Sequence, residues 1–191
     1  MHTVLPAVSD DSSAVDRITR EISQFTAEER DCVSELWQNY LENGNESPYR
    51  FCVAKDLETN GIQGFACYGK HALTKSTYDL YWIAVDPLIQ RSGVGSALLH
   101  FVEQQVAKNP DSRLIVETSS TPAYSGARSF YQNNHYRRSA VLRNFYAPGD
   151  HLVIYSKSFQ VPVAVKTGAQ VRENQETMPE FQLRWGENKW F

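Results

Sequence analysis

The sequence predicts a mixed α/β domain, one sheet flanked by helices. Three observations carry this: apolar runs of strand character alternate with runs of helical period, their order is helix, hairpin, strand, helix, strand, helix, hairpin, and no internal repeat interrupts them. At 191 residues, 41% hydrophobic and 21% charged, the chain has the make-up of one globular domain with length to spare for a tail.

Residues up to about Ile18 are polar, so residues 1–24 are expected to form a partly loose arm, with the domain over residues 25–159. The first helix is "TAEERDCVSELWQNYLENG". Thr26 and Glu29 make a capping-box pair, Cys32, Val33, Leu36, Trp37, Tyr40 and Leu41 trace an apolar stripe, and Gly44 supplies the stop. "YRFCVAK" and "GIQGFACY", joined by the polar turn "DLETNG", read as a hairpin. Thr77 to Val85, "TYDLYWIAV", is apolar or aromatic on both faces and so belongs in the middle of its sheet. A helix from about Gly93 to Lys108 follows, with Val94, Leu98, Phe101, Val102 and Val106 inward. "RLIVETS" is a buried strand, and "TPAYSGARSFYQNN" a helix with Pro122 in its first turn. Arg138–Tyr146 and His151–Phe159 close the domain as a hairpin at "APGD". Residues 160–191 break the pattern yet end on the aromatic-rich "FQLRWGENKWF". Such an extension either packs on its own domain, meets a second subunit in a homodimer, or stays free.

A net charge of −3 provides no basic field for nucleic acid or an anionic membrane, so neither is expected as a partner. Cys32, Cys52 and Cys67 are scattered, without the spacing of a disulfide framework or a zinc site, and no metal is expected. With no secretory-signal pattern at the start and no apolar stretch near the roughly 18 residues of a membrane span, the expectation is a cytoplasmic protein.

The stretch between strand and helix, "VDPLIQRSGVGSALL", carries the chemistry. Pro87 redirects the chain and Gln90-Arg91-Ser92-Gly93-Val94-Gly95-Ser96 leads straight into a helix. The first amides of a helix have no partner inside it and lie at the positive end of its dipole. Glycines at 93 and 95 let a bulky anion approach that backbone, and Gln90 and Arg91 add side-chain donors. The loop lacks the Gly-Lys-Ser/Thr ending of a Walker loop and has two of the three glycines of a dinucleotide fingerprint. Local pattern alone therefore leaves open either a diphosphate cradle or a plain glycine turn.

"IAVDPLIQRSGVGSALL" resembles the acetyl-CoA motif of the GNAT superfamily of acyl-CoA-dependent N-acetyltransferases, Q/R-x-x-G-x-G/A after a strand ending Val-x-Pro. "ARSFYQNNHYRR" is similar to that family's second motif, an alanine and then a tyrosine on a helix followed by a strand; an asparagine often opens that motif, and here Tyr124 stands in its place. The resemblance runs from about Phe25 to Phe159. It implies the acyl-CoA N-acyltransferase fold, a mixed, mostly antiparallel twisted sheet with a splayed central pair, here Thr77–Val85 and Arg113–Ser119. It also implies acetyl-CoA as acyl donor. The pantetheine arm would lie in the gap against backbone groups near Ile83 and Val85, one of which would face the thioester oxygen.

Acetylating an amine of pKa near 10.4 requires removing a proton held by roughly 4–5 kcal/mol at pH 7, and the departing thiolate needs an acid. The resemblance places the acid at Tyr131, one turn after Ala127; the plain alternative is a core aromatic beside Phe130. For the base, Asp79 and Glu117 each interrupt an apolar strand, and each could equally be a structural hydrogen-bond acceptor. Asp79 shares a face with Tyr81 and Ile83 by strict alternation, and the resemblance marginally prefers it, since several members of the family carry a glutamate base at its position. His71, and Tyr146 with Asp150, are candidates for the acceptor side; His135 and His151 flank the last hairpin and are expected at the surface. No cysteine falls in the two motifs, which points to direct attack rather than an acyl-enzyme. The expected activity is transfer to a primary amine on a small molecule. The alternatives are a protein lysine or N-terminal acetyltransferase and a non-catalytic acyl-CoA sensor.

Overall fold

Thr77–Val85 (β4) is the fourth of seven strands, ordered β1-β2-β3-β4-β5-β7-β6. The computed structural model describes residues 1–159. Around β4 lie β1 (His2–Pro6), β2 (Tyr49–Asp56), β3 (Ile62–Lys70), β5 (Ser112–Ser119), β6 (Arg137–Ala147) and β7 (Asp150–Phe159). Every neighbouring pair is antiparallel except β4 and β5, which run parallel. The helices are α1 (Ser12–Glu21), α2 (Ala27–Asn43), α3 (Val94–Val106) and α4 (Ser125–Asn133).

The two faces carry separate cores. Val94, Leu98, Leu99, Val102 and Val106 of α3 pack with Leu80, Leu114, Val116, Tyr131 and Tyr155. On the opposite face Val15, Ile18, Val33 and Trp37 from α1 and α2 meet Phe51, Val53, Phe65 and Cys67. Trp37 meets Phe51 edge to face at 5.0 Å, a geometry the ring quadrupoles favour. The capping box forms: the Glu29 amide donates to Thr26 Oγ1 at 3.2 Å and the Thr26 amide to Glu29 Oε2 at 2.8 Å. Gly44, at φ +52°, ends α2.

The N-terminal expectation is corrected. Residues 2–6 pair with β2, and residues 12–21 form a helix with Val15 and Ile18 buried. Val15, Ile18 and Ile22 repeat at i, i+3 and i+7, a helical stripe visible in the sequence and outweighed there by the polar residues around it. Strand β1 had no local signal, because its stability comes from the distant edge of β2. Asp11 fixes the corner: the Val8 amide donates to its Oδ2 at 2.9 Å and Lys55 Nζ lies 3.1 Å from its Oδ1.

Strand β4 is also less regular than its sequence suggests. Its register against β3 slips after Cys67↔Trp82 to Tyr68↔Leu80, so Tyr81 is the extra residue of a β-bulge. A bulge breaks alternation. Leu80 and Ile83, three apart, face the same core on the α3 side, whereas Trp82 and Ala84 join the α1–α2 side. Ile83 therefore does not share a face with Asp79, contrary to the period-two reading. The extension over residues 160–191 lies outside the described residues.

Candidate active site

Strands β4 and β5 pair only from Thr77–Leu80 against Arg113–Val116. Past that point β5 stays with β7 as far as Ser119↔Leu152, while β4 bends away at its bulge. A wedge opens between Tyr81–Val85 and Glu117–Ser119. The Asp86 amide donates to the Gln63 carbonyl at 2.9 Å, on the β3 side. By alternation Ala84 and Trp82 also turn their main-chain groups toward β3, and Ile83 and Val85 turn theirs into the wedge. The chain thus offers donors and acceptors spaced like a strand edge, along which an extended molecule with amide groups can lie.

The wedge ends at the loop into α3. Asp86 anchors it, its Oδ1 accepting the Leu88 amide at 3.0 Å and its Oδ2 meeting Arg17 Nη1 at 2.8 Å. Arg91 (φ +66°) and Gly93 (φ +89°) both take the left-handed backbone region. A non-glycine residue there costs on the order of 1 kcal/mol and is met preferentially at ligand sites. No side chain caps α3, and its first internal bond runs from the Ala97 amide to the Gly93 carbonyl at 3.0 Å. The amides of Val94, Gly95 and Ser96 are thus free of helical partners. Gln90, Arg91, Ser92, Gly93 and Ser96 are exposed, while Val94 is buried as the anchor. A methyl group at Gly95 would meet only Phe130 at 3.5 Å and Val85 at 3.6 Å, ordinary contacts. Packing does not demand glycine at 95. This fits a loop whose bare backbone an anion approaches.

The candidate side chains lie on opposite faces of the sheet. Tyr131 of α4 lies in the α3-side core, 6.1 Å from the Tyr155 ring, and burial alone drives its phenol pKa well above the usual range. Asp79 and Glu117 lie on the other face. Register pairs Asp79 with Ile115, and Glu117 follows two residues later on the same side. His71, just past β3, puts Nδ1 2.7 Å from Asp79 Oδ2. Much of the Glu117 side chain meets solvent, yet the walls of the wedge desolvate its carboxyl and raise its pKa; the Asp79 charge adds to the rise and His71 partly offsets it. Tyr81, against Tyr49 at 5.4 Å, is pushed up to about 12 by burial and then by Asp79. Burial, and after it Glu117, raise the pKa of Tyr146.

Of the sequence-derived candidates, Asp79, Glu117, Ile83 and Val85 border the wedge, Gln90–Ser96 close its end, and Tyr131 lies on the far face. Asp150 is structural: Ser119 Oγ donates to it at 2.6 Å and the Ser120 amide at 3.3 Å. His151 Nδ1 accepts the Asn144 amide at 3.0 Å, and His135 is exposed at the end of α4. Tyr124, standing where an asparagine is frequent, donates to Glu29 Oε1 at 3.2 Å. That Tyr81 is the bulged residue beside Asp79 was not legible in the sequence, since a bulge leaves no mark in a strand's composition.

Residues 47–138 match the family model of the acetyltransferase (GNAT) domain. A crystal structure of a GNAT-family protein from Desulfovibrio desulfuricans shares 36% identity, over 83% of this chain and 99% of that one, with a TM-score of 0.78. Similar folds at lower identity include the ribosomal-protein-S18-alanine N-acetyltransferase of Escherichia coli (21%, covering 84% and 96%, TM-score 0.65). Arabidopsis thaliana NAA60, solved with a bisubstrate analogue, is another (16%, 83% and 98%, TM-score 0.66). No curated protein matches the sequence. The split sheet, the uncapped helix start and this kinship agree: the chain belongs to the GNAT family of acetyltransferases.

Proposed function

We propose that this protein transfers the acetyl group of acetyl-CoA to the primary amine of a small molecule by direct attack. The observation that carries the reading is the wedge between β4 and β5, which ends at the uncapped start of α3 and carries carboxylates on its other face. A donor thioester reaching in from the α3 side and an amine from the α2 side would meet within it.

The chain's residues fit the donor. The amides of Gly93–Ser96, with Gln90, Arg91 and Ser92, would hold the diphosphate, and the main-chain groups of Ile83 and Val85 would pair with the pantetheine amides. When bound, the thioester supplies the acyl group and a thiol leaving group. A fixed amide of β4 would face the carbonyl oxygen, where negative charge develops. Glu117 takes the proton from the incoming amine, directly or through water. Its raised pKa keeps it a stronger base than an ordinary carboxylate, and no ion pair among the described residues holds it. Tyr131 gives its proton to the departing sulfur. Cys52 and Cys67 are buried, with thiol pKa values pushed up by burial to about 12 for Cys52 and well above the usual range for Cys67, so neither serves as a nucleophile.

The aromatic groups on the acceptor side, Tyr81, Tyr124 and Tyr146, favour a compact amine. Thiol release from acetyl-CoA against a panel of small amines and lysine- or N-terminus-bearing peptides tests this. Turnover confined to peptides overturns the small-molecule acceptor, and coenzyme A binding without turnover on any amine leaves only a sensor.

A further inference from the structure

Arg128 of α4 takes no part in the chemistry proposed above, yet its guanidinium is fixed at the lip of the wedge. Its Nη1 donates to the Ser119 carbonyl at 2.7 Å and to the Thr121 carbonyl at 2.8 Å. The direction of the Ser119 carbonyl follows from the ladders. The Arg113 amide donates to the Ser76 carbonyl at 3.0 Å, on the β4 side, and the Ser120 amide to the His151 carbonyl at 2.9 Å, on the β7 side. Register between β5 and β7 runs without a break from Ser112 to Ser119, so residues 113, 115, 117 and 119 turn their main-chain groups toward β4. Beyond the last pair, Leu80↔Val116, the groups of Glu117 and Ser119 therefore face the wedge, across from those of Ile83 and Val85. The turn is held from behind as well, Ser119 Oγ donating to Asp150 Oδ1 at 2.6 Å and accepting the Thr121 amide at 3.0 Å.

We infer that Arg128 is a positioning residue that keeps the wedge open before the donor arrives. Two strands with free edges facing each other gain by continuing their ladder, since unpaired main-chain groups shielded from water are costly. On β5 the next acceptors within reach of β4 are the carbonyls of Glu117 and Ser119. A charge-assisted bond from an arginine is stronger than one from a neutral amide, so Arg128 withdraws Ser119 from that competition and ties it to α4. The bulge at Tyr81 starts the split, and Arg128 stops it from closing at its far end. There the donor is left with β4 as its pairing edge, the side on which Ile83 and Val85 turn into the wedge.

The inference rests on the reading that the pantetheine arm lies in the wedge, and the test separates the two. Amide hydrogen exchange by NMR and calorimetric titration with coenzyme A are compared for wild type, Arg128→Met and Arg128→Lys. In wild type the Ile83 and Val85 amides should exchange readily without ligand and be protected by coenzyme A. In Arg128→Met the closing ladder should protect those two amides before any ligand is added. Coenzyme A should bind about tenfold more weakly as the open form becomes the minor one, and KM for acetyl-CoA should rise by the same factor while kcat changes far less. Arg128→Lys keeps a cationic donor and should fall between the two, with the same signs should the methionine variant fail to fold. An arginine that merely stabilises the fold gives the opposite sign, faster exchange at both amides in Arg128→Met. That result, or exchange and affinity unchanged because the bulge alone holds the split, overturns the inference and leaves acetyl transfer standing. Wild type whose Ile83 and Val85 amides gain no protection from bound coenzyme A overturns the placement of the donor and the inference with it.

Discussion

On the α3 side of the split, the groups that lack partners among the described residues are main-chain ones: the amides that open α3 and the edge of β4 at Ile83 and Val85. On the opposite side the groups that line it are side chains drawn from four places in the sequence: His71, Asp79, Glu117 and Tyr146. A donor carrying a diphosphate and two amides is the same for every acceptor, so repeated backbone geometry can hold it. An acceptor differs from one enzyme to the next, and only side chains can be exchanged without rebuilding the sheet.

The comparison predicts that removing a proton-carrying group costs rate and leaves donor binding intact. The largest effect is expected at Tyr131→Phe, which keeps the ring in its core and deletes the proton: kcat should fall about 10³-fold, with coenzyme A affinity unchanged by calorimetric titration. Glu117→Gln should cost about 10²-fold in kcat/KM. The sign of its pH dependence follows from the raised carboxyl: only the ionised form accepts a proton, so wild-type kcat/KM climbs as pH rises through a pKa above the usual carboxylate range, and the variant loses that limb. A limb that persists in Glu117→Gln assigns it to another group.

Gly95→Ala is the converse probe. The added methyl finds ordinary contacts with Phe130 and Val85, and alanine favours a helix over glycine by up to about 1 kcal/mol, so Tm should hold or rise slightly. If an anion approaches the bare backbone there, coenzyme A affinity should fall on the order of tenfold, about 1.4 kcal/mol. Unchanged affinity would show that glycine 95 serves no ligand.

The same division sorts what the sequence disclosed. The donor side is local: a strand, a proline, two glycines and an amphipathic helix follow one another in the single run from Thr77 to Val106, each with a backbone reason legible in its type. The acceptor side is not. Asp79 and Glu117 stand out as charges in apolar strands, but that they share a face at the mouth of a wedge depends on the parallel register of β4 and β5 and on the bulge at Tyr81. A bulge is decided by the twist of the assembled sheet, so alternation placed Ile83 on the wrong face. The partnership of His71 with Asp79 spans a turn whose shape no residue in "KHALTKST" announces. The N-terminal strand was hidden for a related reason, since its partner is fifty residues away.

Asp79→Asn sharpens the comparison last and with the smallest expected effect. The sequence ranked Asp79 slightly ahead of Glu117, and the structure distinguishes their settings: Asp79 is held by His71 at 2.7 Å before the strands part, whereas Glu117 stands in the open wedge. A carboxylate whose oxygen is already bonded to an imidazole is less free to reach an incoming amine. Asparagine keeps an acceptor oxygen for His71, so kcat/KM should fall by about fivefold, far less than for a group that itself takes the proton. Steady-state rates of the two carboxylate variants on one amine decide it. A loss at Asp79 equal to or beyond that at Glu117 would exchange their roles, making the carboxylate nearest the apex of the split the base and the one beyond it a support.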